Sequence, residues 1–379
     1  MKRFVTILCV LVAAVSLSAQ EKAEPQEKTE VAFAYDVDFN TLFDNREFAK
    51  SKYTPSMTIF GARLTPQVGV AVNEKNGAQH RLMVGIDVMK DFGSGRNNDL
   101  FQELSMFYNL RKKISKTEME IYAGIFPRTT MEGVWSQAFF SDSLAFYDNN
   151  LEGLLLKFRR PKAYYEVGCD WMGQFGQERR EKFMIFASGE GLVHPLISVG
   201  GFVYMLHYAN SKQANGLVDN ILANPYVRFD LTRIINLQRL SLRLGWLQAM
   251  QRDRKYVGDF VFPGGAEFDQ EIRNWNFGVH NKMFYGVDMM PYYSMVDNAG
   301  IKYGNNVYFG DPFYRVHEDG SSAPGFYDRL EVYYEPQIGD FIKLKVSALF
   351  HFNSTRYCGC QQMVGIRFNL HELLAKRNK

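Results

Sequence analysis

Apolar residues recur at every second position in segment after segment of this chain. Between Phe60 and Val72 the apolar residues are Phe60, Ala62, Leu64, Val68, Val70 and Val72; Gly61, Arg63, Thr65, Gln67, Gly69 and Ala71 alternate with them, and Pro66 interrupts the series. A period of two sends successive side chains to opposite faces, which makes a β-strand with one apolar and one polar face. The pattern returns at Leu82/Val84/Ile86/Val88, Met119/Ile121/Ala123/Ile125, Leu240/Leu242/Leu244/Trp246, Ile342/Leu344/Val346/Ala348/Phe350 and Val364/Ile366/Phe368/Leu370. Beyond the first twenty residues there is no apolar run long enough for a helical span. Many half-apolar strands of this kind predict an all-β fold, a transmembrane antiparallel β-barrel. The mean hydropathy of −0.25 does not oppose this, because only alternate strand residues face lipid. Aromatic residues make up 15% of the chain, enough to supply girdles at both membrane interfaces.

The N-terminus has the layout of a secretory leader: Met1-Lys2-Arg3, an apolar core from Phe4 to Val15, then Ser16-Leu17-Ser18-Ala19-Gln20. The expected organisation is a signal peptide over 1–19, a flexible periplasmic tail over 20–31, an outer-membrane barrel over 32–370 and a periplasmic tail over 371–379. A net charge of +3, with no basic run, gives no support for nucleic acid as a partner. Beyond the leader the cysteines are Cys169, Cys358 and Cys360, which form no disulfide framework and no zinc-type pair. Cys358-Gly359-Cys360 reads as two ordinary thiols ahead of a local disulfide or a soft-metal pair.

The alternation divides into about 16 strands, from 33–41 to 361–370, with 14 to 18 as the range. The pattern is weakest at 180–188 and over 271–293, where strands are placed at 271–282 and 285–293 around a turn at Met283–Phe284. Every second connection is short: 73–78, 112–116, 160–161, 189–194, 234–238, 283–284 and 336–339. Others are long: 42–56, 128–150, 209–222, 252–270 and 294–325. Short periplasmic turns alternating with long extracellular loops are what a meandering outer-membrane barrel produces.

The chain resembles porin-type outer-membrane barrels of the kind found in Bacteroidota. The likeness rests on this architecture and on three local segments: Asp44-Asn45-Arg46-Glu47-Phe48, Gly124-Ile125-Phe126-Pro127-Arg128 and Tyr327-Asp328-Arg329-Leu330-Glu331-Val332-Tyr333-Tyr334-Glu335-Pro336. It implies a pore-like function, outer-membrane lipid and small hydrophilic solutes as partners, anions among them, and room for a homo-oligomer. It names no solute and no cofactor.

If the apolar parity faces lipid, the other parity lines the lumen. That assigns Arg63, Arg81, Asp87, Arg111, Glu120, Arg128, Arg228, Asp230, Arg243, Arg329, Glu331, Lys343, Lys345 and Arg367 to the pore wall. The basic excess favours anions. The competing reading is that these charges pair across strands and hold the wall together, as the shared faces of Arg228 with Asp230 and of Arg329 with Glu331 allow. The 128–150 loop, with Trp135, Phe139, Phe140, Phe146 and Tyr147, is the candidate to fold inward and narrow the lumen, with an outward-facing or interfacial loop as the equal alternative. The 294–325 loop, with Asp297, Asp311, His317, Glu318 and Asp319, is expected to be solvated and acidic, since its spacing fits no calcium loop.

No G-x-S-x-G or H-E-x-x-H motif occurs. The expectation is therefore a non-enzymatic, weakly anion-preferring channel. A closed or plugged barrel with a structural or adhesive role and a lipid-acting barrel enzyme stay open as alternatives.

Overall fold

The computed structural model describes residues 29–370, apart from 49–50, 94–99, 178–179, 210–217, 256–257, 298–299, 318–319, 337, 340 and 355. The leader, the N-terminal tail up to residue 28 and the C-terminal tail over 371–379 lie outside the described residues, as do Glu318 and Asp319. The strands are β1 (Glu30–Glu47), β2 (Met57–Asn73), β3 (Gln79–Asp91), β4 (Phe101–Ile114), β5 (Thr117–Pro127), β6 (Asn150–Arg160), β7 (Ala163–Gly173) and β8 (Lys182–His194). They continue as β9 (Ile197–Tyr208), β10 (Val218–Asp230), β11 (Arg239–Asp253), β12 (Gly264–Asn274), β13 (Phe277–Gly286), β14 (Gly325–Tyr334), β15 (Ile342–Asn353) and β16 (Arg356–Asn369). Each pairs antiparallel with its sequence neighbour, and β1 pairs with β16 from Asp38↔Asn369 to Glu47↔Cys360, closing the barrel. Closure removes the free edges of the sheet along these paired strands, the condition for a sheet to cross hydrocarbon.

The wall faces as the alternation demands. On β2, Phe60, Leu64, Val68 and Val70 are exposed while Arg63, Thr65 and Gln67 are buried inside. Leu82, Val84, Ile86, Leu244, Trp246 and Val346 are exposed in the same way. Such a continuous apolar surface is stable only against lipid. Aromatic rings gather near both ends of the wall: Phe33, Tyr35, Trp275, Phe277 and Tyr334 towards the short turns, and Phe60, Phe92, Trp171, Phe183 and Tyr357 towards the long loops. The protein is an outer-membrane β-barrel with a porin-like architecture.

Two expected strands are displaced. Residues 271–282 span the end of β12, a two-residue turn and the start of β13, and 285–293 runs from the end of β13 into a loop. The turn is Trp275–Asn276, with φ of 49° and 67°. Asn tolerates this left-handed region, but Trp gives no turn signal. The first residues of β12, Gly264-Gly265-Ala266, are too small to show a strand pattern and were expected in a loop.

Among the described residues, two loops pack into the lumen and plug its middle. The third long loop (L3, 128–149) turns inward, as anticipated, and carries the short helix α1 (Asp142–Tyr147), whose N-cap Ser141 accepts from the Leu144 N–H at 3.4 Å. The seventh (L7, 287–324) also packs inside, against the expectation of a solvated loop: Tyr303, Val307, Phe313, Tyr314 and Val316 are buried. The reason is its content, an aromatic series that outweighs the acidic residues between. L3 and L7 join backbone to backbone, Asp311 N donating to Gln137 O at 2.8 Å and Ser141 N to Phe309 O at 2.9 Å. The approach is so close that a Cβ on Gly310 would stand 2.1 Å from the Ala138 carbonyl oxygen.

Candidate functional site

The strand residues that face the lumen act as sockets for these loops. Arg128 donates to Asp148 O and Asn150 O, each at 3.0 Å, and to Asp170 Oδ2 at 3.1 Å, tying the two roots of L3 together. Glu166 accepts from the backbone N–H of Glu132 at 2.7 Å and of Gly133 at 3.1 Å. Arg243 donates to Val134 O at 3.0 Å, and Glu267 accepts from Ser136 and, at 2.8 Å, from Tyr314. Gln251 meets Tyr308 Oη at 2.8 Å and donates to Met289 O at 2.9 Å. Buried polar groups on a lumen wall need such partners, and the loops supply them.

Above this plug lies a mouth cavity of about 460 Å³. L1 (48–56), L3 and L7 wall it, with the tops of β1 and β16. Arg46, near the end of β1, donates from Nε to Asp44 Oδ2 at 2.7 Å and from Nη2 to Ser143 Oγ at 2.8 Å. Gln361 donates to both Asp44 oxygens at 3.0 and 3.1 Å and contacts His351 Nε2 at 2.8 Å; His351 Nδ1 meets Tyr327 Oη at 3.0 Å. This chain fixes Arg46 from behind.

Two carboxylates from different loops line the same cavity. Asp142, at the start of α1, accepts from Arg329 at 2.7 Å and from Gln137 at 3.0 Å. Burial works to raise its carboxyl, but Arg329 and Lys282 outweigh that and hold it at about 2. Asp311 accepts from the Phe313 N–H at 3.1 Å and has no cation in hydrogen-bond contact among the described residues. Burial raises it to about 6, against the Phe313 N–H and Arg329, with the charge of Asp142 adding to the rise. One fold thus drives two aspartates apart, one ionised at all ordinary pH and one poised near neutrality.

The fourteen residues assigned to the pore wall are scattered over its height. Arg63 is buried against Asp87 at 2.7 and 3.0 Å and also donates to Phe146 O of α1. Arg243 pairs with Asp269 at 2.9 Å, Lys345 with Glu331 at 2.6 Å, Arg228 with Glu190, and Arg367 with Asp38 at 3.0 Å. Glu331 also lies 3.8 Å from Arg329. Arg111 and Glu120 meet at 3.0 Å, and Arg81 lies beside them at the short-turn end. Asp230 is exposed at the end of β10, where it accepts from the Thr232 N–H at 3.1 Å; Lys343 is exposed near the start of β15. Of the fourteen, Arg329 reaches the mouth site, through Asp142. Asp44, Arg46, Asp142 and Ser143 were not singled out as site residues, although Asp44 and Arg46 stand in the first of the segments that carry the porin resemblance. Asp311 was seen only as part of an acidic loop. Cys358 and Cys360 lie on β16 and form no disulfide with each other.

A family model described as lipid A 3'-O-deacylase-type matches residues 24–196, somewhat under half of the chain. No curated protein matches. Among solved structures, the chain is similar to the loop-L8 deletion mutant of OmpT, an outer membrane protein of Vibrio cholerae, with a TM-score of 0.52, 7% identity, and coverage of 89% of this chain and 99% of that one. OprD from Pseudomonas aeruginosa aligns with a TM-score of 0.47, 9% identity, and coverage of 93% and 96%. These structural likenesses concern the fold. The family match overturns the expectation of a non-enzymatic protein. Missing short motifs exclude only the chemistries those motifs carry, and a site built from several loops and strand ends leaves no local signature.

Proposed function

We propose that the protein is an outer-membrane barrel hydrolase that cleaves an acyl ester of an amphipathic lipid in the mouth cavity. The observation that carries this reading is the match of the 24–196 segment to the lipid A 3'-O-deacylase-type model, since that segment contributes β1, L1 and L3 to the cavity. The cavity also holds groups suited to the chemistry. Asp311 is the general base: it takes a proton from the attacking water as oxygen bonds to the ester carbonyl carbon. Arg46, anchored by Asp44, is the cation available to the oxyanion that forms. As the tetrahedral intermediate collapses, the carbon–oxygen bond to the alcohol breaks, and Asp311 returns its proton to the departing alkoxide. Burial raises the pKa of Asp311, and Asp142, kept ionised by Arg329, adds to that rise.

The test is mass-spectrometric detection of fatty acid released from lipid A in mixed vesicles by the refolded protein. Release should rise with pH through about 6, as Asp311 ionises. Asp311→Asn should lower the rate by about 10²–10⁴-fold. A folded, inserted wild-type protein that releases no fatty acid rejects the proposal.

A second reading, passage of small hydrophilic solutes, is favoured by the charged cavity at the other end of the lumen. On that reading the fourteen wall residues line the path, and steady single-channel current from the inserted protein is its test.

A further inference from the structure

The short-turn end of the lumen holds a second cavity, of about 810 Å³, that shares no lining residue with the mouth. Its wall runs from β1 to β6, with the root of L3 above it. Four cations line it: Arg81, Arg111, Lys157 and Arg159. Three of them converge on Glu120, at 3.0 Å for Arg111, 3.0 Å for Lys157 and 3.2 Å for Arg159. Tyr122 donates its hydroxyl to the same carboxylate at 2.7 Å. Arg159 also donates to Glu132 at 2.6 Å, and Lys157 lies 3.8 Å from it. Asp36, on the β1 side, is engaged as well.

Arg81 stands apart. Among the described residues its polar contact is a single one, with Met83 Sδ at 3.8 Å. Arg81 is half-buried as a residue, its guanidinium carries five donors, and it lines a cavity whose carboxylates Glu120 and Glu132 are already taken by other cations. A cation partly withdrawn from water without a counter-charge is unfavourable, and an oxoanion of matching fork geometry relieves it. Gln67, Gln79 and Asn109 offer neutral donors and acceptors around it, and the volume is that of small-molecule sites.

We infer that this vestibule binds a small, sugar-sized solute carrying a phosphate or carboxylate group, with the oxoanion held by Arg81 and the hydroxyls met by the neighbouring amides. The inference is independent of the hydrolase reading, because the vestibule lies at the opposite end of the barrel from the mouth.

The experiment is isothermal titration of the refolded, detergent-solubilised full chain with glucose 6-phosphate, glucuronate and glucose. At least one anion should bind, with glucose at least about tenfold weaker. A stronger response to glucose 6-phosphate assigns a phosphate, and a stronger one to glucuronate assigns a carboxylate. Arg81→Gln should weaken the preferred anion by about tenfold to a hundredfold while leaving ester hydrolysis unchanged. Should R81Q fail to fold, Arg81→Lys keeps the charge but loses the fork, and a smaller loss is expected. Equal binding of all three solutes, no binding of either anion, or an affinity unmoved by the Arg81 variants overturns the inference.

Discussion

The two halves of this lumen are built on the same strands and differ in what those strands point inward. Towards the short turns the inward residues are charged, and Arg111, Lys157, Arg159, Glu120 and Tyr122 form one network around an open cavity. Towards the mouth the same parity turns apolar. On β11, Arg243 points inward, and so do Leu247 and Ala249, both fully buried; on β6, Lys157 and Leu155 share that face. The difference shows that the polar parity of a barrel strand marks the inside, not water. Where a loop folds in, the wall becomes an apolar core, and isolated polar residues such as Glu267 and Arg243 become its anchoring points.

The largest effect expected from breaking this division concerns chemistry: Asp311→Asn should remove hydrolysis while leaving the vestibule untouched. The next concerns the network. Glu120→Ala leaves Lys157, 3% exposed, buried beside a lost partner, and should destabilise the barrel by about 3–5 kcal/mol, read from urea unfolding in bilayers. An unchanged midpoint would mean that water already solvates that ammonium. On the outer wall, Leu244→Arg should cost about 2–4 kcal/mol if it lies near the bilayer midplane. Normal insertion and stability would contradict a lipid-facing position there. A conformational change is expected of Gly310→Val, whose Cβ would collide with the Ala138 carbonyl and drive L7 away from L3. It should raise single-channel conductance above wild type without changing strand content by circular dichroism.

The smallest effect is the response of the plug to pH. Asp311 has its folded pKa raised to about 6, so its contribution to stability is full below about pH 4 and is lost as pH rises through 6. Asp142 has its folded pKa lowered to about 2, so its contribution is present above about pH 4 and is lost as pH falls through 2. Together they place the best protection of L3 and L7 near pH 4, where both contributions are largely present. Hydrogen exchange of the Asp311 and Ser141 amides, corrected for intrinsic rate, checks this; slowest exchange above pH 7 would contradict it.

Much of the wall was legible because the pleat imposes a period of two on any half-buried strand. Phe60, Leu64, Val68 and Val70 declare their face without reference to any neighbour. The β12–β13 turn was not legible, because Trp275 carries no turn preference and Gly264-Gly265-Ala266 no strand preference. The mouth site was hidden for a different reason. Asp44, Asp142 and Asp311 are ordinary surface residues in composition, and only the folding of L3 and L7 into the barrel brings Asp142 and Asp311 into one cavity with Arg46.

By itself, then, the sequence determined an antiparallel sheet of about sixteen strands, its closure into a barrel and, outside β12 and β13, the face its clearest strands turn to lipid, since these follow from local alternation and from the cost of bare backbone groups in hydrocarbon. Only the tertiary structure decided what the inside is for. The pairing of L3 with L7, the opposite pKa shifts of two aspartates and the lack of an ion-pair partner for Arg81 among the described residues all depend on distances between residues far apart in the chain. Burial and Coulomb interaction act through those distances and not through position along the sequence.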